Sequence, residues 1–352
     1  EDMSGMFEGA TSFNADISGW ETDRVEDMSG MFEGATSFNA DISRWDTSSV
    51  TSMDRMFYGA TNFNQDITEW ETSGVTSMAD MFNGASAFNQ DLSEWDFTSV
   101  TNMERMFYGA TSYNQPLNFM EMTGVTSMEE MFLDATTFNQ DISSWDTSSA
   151  TNMRRMFEGA SSFNQDLAGW TVTSVTDMNS MFKGATAFNG NISTWNVGSV
   201  EDMGHMFEGA KAFNGDITGW TLNSFTNMDE MFHGASKFNR DLTSWDVSGV
   251  VSMSSTFRDA VDFNGDVTSW DTGAVEAMNS MFEGASSFNQ DISDWDVRHA
   301  TQMKHMFKGA TSFNQDLSSW PTGVQMLWNC ATAQQAQGST GCPNKPGICE
   351  TG

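Results

Sequence analysis

Long apolar runs are missing from this chain. No stretch approaches the roughly 18 residues that a membrane-spanning helix needs, so no membrane span is expected among its 352 residues. Basic residues are scarce: 15 Lys and Arg stand against 48 Asp and Glu, a net charge of −33. That balance repels phosphate backbones and anionic headgroups, which excludes nucleic acid and lipid surfaces as partners. Catalytic signatures are lacking as well, with no nucleophile elbow, phosphate-binding loop or H-E-x-x-H. The four histidines, His205, His233, His299 and His305, fall at different places in the pattern described next, and only the last two are expected near each other. The chain therefore reads as a non-enzyme with no cofactor. Its first residues, Glu1-Asp2-Met3, are neither an initiator methionine nor a signal peptide, which suggests a processed chain or an excised fragment.

What fills the sequence is repetition. Methionine recurs at one fixed interval, from Met3 through Met28 and Met53 to Met303, thirteen times without insertion or deletion, inside M-x-x-M-F-x-G-A-x-x-F-N-x-D-I-S-x-W-x-x-x-x-V-T-x. A unit this short cannot bury its apolar side alone, so neighbours must stack. The expected fold is a repeat solenoid of thirteen 25-residue coils over residues 1–320, with a cysteine-containing C-terminal cap or tail over 321–352.

Within a coil, Met53, Met56, Phe57 and Ala60 are spaced i, i+3, i+4, i+7, which predicts a short helix with one apolar face. Thr51 with Asp54, and Thr101 with Glu104, resemble capping boxes, and Gly59 suits a helix stop. The mixed segment Phe63–Trp70 predicts one or more short parallel β-strands, stacked at roughly 4.8 Å per coil and giving a rod of about 60 Å. Rows of Met, Phe, Ala and Ile/Leu/Val form the core, with soft methionine sulfur beside aromatic rings. The Trp row, broken only at Met120, reads as buried, since an exposed Trp stripe would be an aggregation-prone patch. Pro116 lacks the N–H a strand neighbour needs, so a bulge or kink is expected near 113–122.

Two polar rows are the candidate sites. Asparagine follows the second aromatic residue of the repeat in every coil, including Asn139, Asn164, Asn189 and Asn214. Because Asp never replaces it, each amide is expected to be buried and to act as donor and acceptor along the stack. Two residues on, Asp appears in eleven coils, including Asp141, Asp166, Asp216 and Asp241. Carboxylates stacked at that spacing repel by roughly 1 kcal/mol per neighbour in water. Either each accepts N–H groups of its own turn, or calcium ions bridge them, which makes those four the metal candidates. Asn191-Ile192-Ser193 is the sole N-glycosylation sequon and makes Asn191 the modification candidate. Cys330, Cys342 and Cys349 follow a cysteine-free repeat region and read as a disulfide-pinned cap from an oxidising compartment.

The units Met153-Arg154-Arg155-Met156-Phe157-Glu158-Gly159-Ala160 and Phe163-Asn164-Gln165-Asp166-Leu167, followed by Trp170, resemble the bacterial surface-protein repeat of about 26 residues, related to BspA-like leucine-rich repeats. That resemblance implies a leucine-rich-repeat-like coil, a cell-surface or secreted location, and an adhesive or structural role. The function expected is an extracellular structural element that assembles end to end, since nothing at Glu1 shields the first coil unless a further segment or another copy covers it. The alternative is a monomeric adhesin that binds carbohydrate or protein through its variable outer residues.

Overall fold

The computed structural model describes residues 1–223 and 226–321, and shows a repeat solenoid. Its coils fall into two compact units, Glu1–Val175 and Thr176–Gly352. Both are built alike. No helix among the described residues is long and apolar enough to cross a membrane.

The expected helix is replaced by a chain of tight turns. In coil three, Arg55 has φ 56° and Gly59 has φ 65°, and a left-handed residue every fourth position cannot propagate an α-helix. The N–H groups then divide into two sets. Those of Met56, Tyr58 and Ala60 bond back to Met53, Arg55 and Phe57 within the coil (3.2, 3.0 and 3.0 Å). Those of Met53, Arg55, Phe57 and Gly59 bond to the carbonyls of Ser77, Ala79, Met81 and Asn83 in the next coil (3.2, 2.8, 2.9 and 2.6 Å). The turn series still brings Met53, Met56, Phe57 and Ala60 inward, each with no exposed surface. Apolar spacing alone does not separate it from a helix.

The residue at the Arg55 position is left-handed in every coil although only Gly5 and Gly30 are glycines there. No β-branched residue occurs at that position, where the steric cost would be highest. The Thr hydroxyls expected to cap helices instead join coils, as Thr51 Oγ1 donates to the Glu26 carbonyl (3.1 Å) and Thr76 Oγ1 to that of Thr51 (3.3 Å).

The strands expected over Phe63–Trp70 are absent too. Among the described residues, parallel pairing is confined to single bridges ahead of the first Met, such as Ser52 with Ser77 and Asp177 with Asp202. The rest of the coil turns four times, which packs most of its apolar side chains into one core. There each side chain lies on its own copy. Phe57 sits 3.7 Å from Phe63 within the coil, and 5.8 Å from Phe82 above it. Trp70 stacks 6.3 Å from Trp95, with planes 5° apart. From Trp45 on the Trp row is buried, and Trp70 Nε1 donates to the Ile42 carbonyl of the coil below (3.2 Å). Polar satisfaction and packing thus occur together.

Coil five keeps the turn pattern of its neighbours, without the bulge expected at Pro116. With no strand ladder at this segment, proline costs no strand pairing there. Its other departure does carry a cost. Tyr113 is fully buried where the other coils have Phe, and its hydroxyl has no hydrogen-bond partner. Burial pushes that phenol well above its usual range. Tyr113→Phe should therefore stabilise the protein by about 1–2 kcal/mol, read as a higher denaturation midpoint with an unchanged slope. A lower midpoint would mean that the hydroxyl is satisfied.

Candidate functional site

The corners of the coil are made by acidic and amide side chains, which explains much of the composition. Asp16 Oδ1 accepts the Ser18 N–H (3.0 Å) and hydroxyl (2.7 Å), the self-bonding turn that Asp and Asn favour. Asp141 accepts from Ser143 (2.9 Å) and Asp216 from Thr218 (3.1 and 2.7 Å). Equivalent turns stand at Asp46 with Ser48 and at Asp27 with Ser29. Up to three corners of a coil thus use an Asx residue.

The serine bonds hold Asp16, Asp41 and Asp141 below the ordinary carboxylate range. For Asp16 they outweigh the repulsion from Asp41. Asp241 differs, because its Oδ1 accepts the Asp266 N–H of the next coil (2.9 Å). In coil eight Asn191 takes the aspartate's place. It is exposed, and its Oδ1 accepts the Ser193 N–H (3.1 Å) and hydroxyl (2.8 Å).

The asparagine row lies at the surface rather than in the core. Asn139, Asn164 and Asn189 are exposed and Asn214 is half-buried. Within each unit the Oδ1 takes the next asparagine's backbone N–H: Asn139 Oδ1 accepts from Asn164 and Asn189 Oδ1 from Asn214, both at 2.8 Å. The side chain thereby stands in for a strand carbonyl at the place where no ladder forms. Gln165 adds a bond from Nε2 to the Asn139 carbonyl (2.9 Å). A carboxylate would accept equally well, but a row of them would add charge with no neutralising partner. A neutral acceptor is what the stack requires.

A third surface was not anticipated. The Arg55 and Tyr58 positions of successive coils line one face, which in the first unit alternates in sign through Arg55, Asp80, Arg105, Glu130 and Arg155. Arg105 Nε lies 3.0 Å from Asp80, Arg155 pairs with Glu130, and Arg55 pairs with Glu33. In the second unit Lys183 lies 2.8 Å from Glu208 and Lys308 2.6 Å from Glu283. Burial pushes the Glu208 carboxyl up, but the bonds from Lys183 and His205 outweigh it and the group lies below its ordinary value. The periodicity of charge, read beside that of hydrophobicity, carries the signal.

Among the described residues, the side chains that approach closely enough to share a metal ion are His205, Glu208 and Glu230, and the four ladder aspartates are not brought into such a group. His299 donates to the Gly273 carbonyl (2.7 Å) rather than joining His305. Cys330, Cys342 and Cys349 lie outside the described residues. A shallow depression of about 490 Å³ in the second unit is lined by Ala212, Asn214, Lys237, Asn239, Asp262 and Ser287.

The corner carboxylates predict an acid limb. Because their pKa values are lowered in the folded chain, the stabilisation is present above the unfolded value of about 4 and is lost as pH falls through the lower folded values. Relief of like-charge repulsion acts in the opposite direction. Replacing Asp41, Asp141, Asp216 and Asp291 together with Asn should preserve stability near neutral pH, as Asn191 preserves its corner, and make the fall in melting temperature below about pH 4 shallower. An unchanged acid limb would show that the corners do not control it.

A family described as Mycoplasma protein of unknown function, DUF285, matches residues 1–91, 37–144, 118–220, 165–257 and 226–336. No curated protein matches. Three solved structures show limited likeness. The TLR13–ssRNA13 complex is 8% identical with TM-score 0.25, over 84% of this chain and 50% of that one. A leucine-rich repeat protein from Bacteroides ovatus is 12% identical with TM-score 0.26, over 80% of this chain and 84% of that one. An internalin from Listeria monocytogenes is 10% identical with TM-score 0.24, over 76% and 83%. The chain spans half the length of the first. The repeat matches cover the greater part of the sequence, and the chain belongs to the DUF285 family.

Proposed function

We propose that this chain is a non-enzymatic, extracellular structural element of a cell-surface or matrix assembly, built to stack end to end. One observation carries the reading. Each internal coil meets its neighbours through unlike faces: the N–H groups of Met53, Arg55, Phe57 and Gly59 donate to carbonyls of the following coil, and the carbonyls of Asp54, Met56 and Tyr58 accept from Gly30, Phe32 and Gly34 of the preceding one. A coil thus offers donors on one side and acceptors on the other, over a common apolar core. Unlike faces joined in this way propagate instead of closing.

The resemblance of M-F-x-G-A-x-x-F-N-x-D-I-S-x-W to BspA-like surface repeats supports the location, as does the net charge of −33, which keeps a multivalent assembly soluble. Within this reading Asn191 is the glycosylation site, and Cys330, Cys342 and Cys349 pin a terminal cap. Calcium bridging of Asp141, Asp166, Asp216 and Asp241 would add a cation to the assembly. A second reading, a monomeric adhesin, is favoured by the shallow depression at Lys237 and Asp262, where Ala212, Lys237, Asp262 and Ser287 occupy one variable repeat position beside the invariant Asn214 and Asn239.

Sedimentation velocity of the unmodified chain should show species that grow with protein concentration and with added salt, since salt screens the repulsion between acidic copies. A polar capping coil fused before Glu1 should hold the protein monomeric. A folded chain that stays monomeric at high concentration and high salt would overturn end-to-end assembly in favour of the adhesin.

A further inference from the structure

Coils nine and ten place two mirrored pairs on top of each other. His205-x-x-Glu208 is followed one repeat later by Glu230-x-x-His233, so each histidine stacks on a glutamate. His205 Nδ1 lies 2.7 Å from Glu208 Oε2 and 3.7 Å from Glu230 Oε2. His233 Nδ1 lies 3.1 Å from Glu230 Oε2 and 3.8 Å from Glu208 Oε1. Both imidazoles therefore aim the same ring nitrogen at the same two carboxylates.

We propose that His205, Glu208 and Glu230, whose ligand atoms lie within 4.8 Å of one another, form with His233, 3.1 Å from Glu230, a binding site for a divalent transition metal, zinc being the reference ion, which clamps coil nine to coil ten. A tetrahedral ion with bonds of about 2.0–2.1 Å holds its ligands roughly 3.3 Å apart, and the separations of His205 from Glu208 and Glu230, 2.7 and 3.7 Å, fall on either side of that edge. Two imidazoles with two carboxylates suit zinc, nickel or copper, whereas calcium takes six or more oxygens.

The ligands are also held by the backbone. His205 and Glu230 occupy left-handed positions, φ 60° and 56°, fixed by bonds to Asp229 and Ser254 of the coils above (2.8 and 2.9 Å). Glu208 and His233 close the turns that follow, bonding back to His205 and Glu230 (both 3.0 Å). The four are half-buried, which leaves an entry path from solvent.

Neighbouring charges permit a cation. Lys183 Nζ lies 2.8 Å from Glu208, Asp259 lies 3.7 Å from His233 Nε2, and Arg258 lies 3.7 Å from Asp259. Three carboxylates outnumber the two cationic groups. Lys183 holds the same Glu208 oxygen that faces His205, so a bound metal replaces that ion pair.

The test uses the full chain with Cys330, Cys342 and Cys349 changed to Ser, so that thiols cannot bind the probe. Zinc added after chelator treatment should bind one ion per chain and raise the melting temperature. His205→Asn, which the left-handed backbone accepts, and His233→Gln should each weaken zinc binding by at least about tenfold while leaving the metal-free melting temperature near its original value. Zinc binding that is absent, that survives in the double variant, or that calcium reproduces with an equal rise in melting temperature would overturn the site.

Discussion

Each coil in this protein has a copy of itself as its neighbour, in register and in the same direction. Alternate N–H groups from Met53 to Gly59 reach carbonyls of the following coil, and every side chain meets its counterpart one repeat away. A residue is therefore admitted only if it tolerates itself. Phenylalanine and tryptophan satisfy the condition by stacking with nearly parallel planes. Asparagine satisfies it with a neutral acceptor that bonds the next backbone N–H. Charged residues satisfy it either at exposed corners, where aspartate is occupied by its own serine, or by alternating in sign along one face.

The same condition orders the energetics. Aromatic pairs contribute about 0.5–1.5 kcal/mol each beyond burial, and every internal coil contributes several. Surface ion pairs are worth about 0–1 kcal/mol, so the alternating face selects register and avoids repulsion more than it adds stability. Where self-tolerance fails, a specific feature appears. The Tyr113 hydroxyl finds no partner, and the His205/Glu208 and Glu230/His233 pairs gather metal-capable groups in place of a plain salt bridge.

The period, the number of coils and the identity of the core were legible in the sequence, because burial repeats wherever the apolar letters repeat. The path of the backbone was not. Met53, Met56, Phe57 and Ala60 face inward from consecutive turns as they would from a helix, and the clue lay in the absence of β-branched residues at the Arg55 position. The asparagine row was recognised as a stack, yet its placement at the surface was missed. An invariant Asn signals a required bond and does not by itself signal depth. His205 and His233 were judged too far apart in the pattern to meet. Their separation is one coil plus one turn, and that sets both beside Glu208 and Glu230.

Amide hydrogen exchange on a single coil tests whether cohesion runs between coils rather than within them. In coil three, the amides of Met53, Arg55, Phe57 and Gly59 should be the most protected, with Asn64 protected through the Asn39 side chain, and Met56, Tyr58 and Ala60 should exchange faster. Uniform protection across residues 54–60, as a continuous helix would give, together with rapid exchange at Asn64, would contradict it.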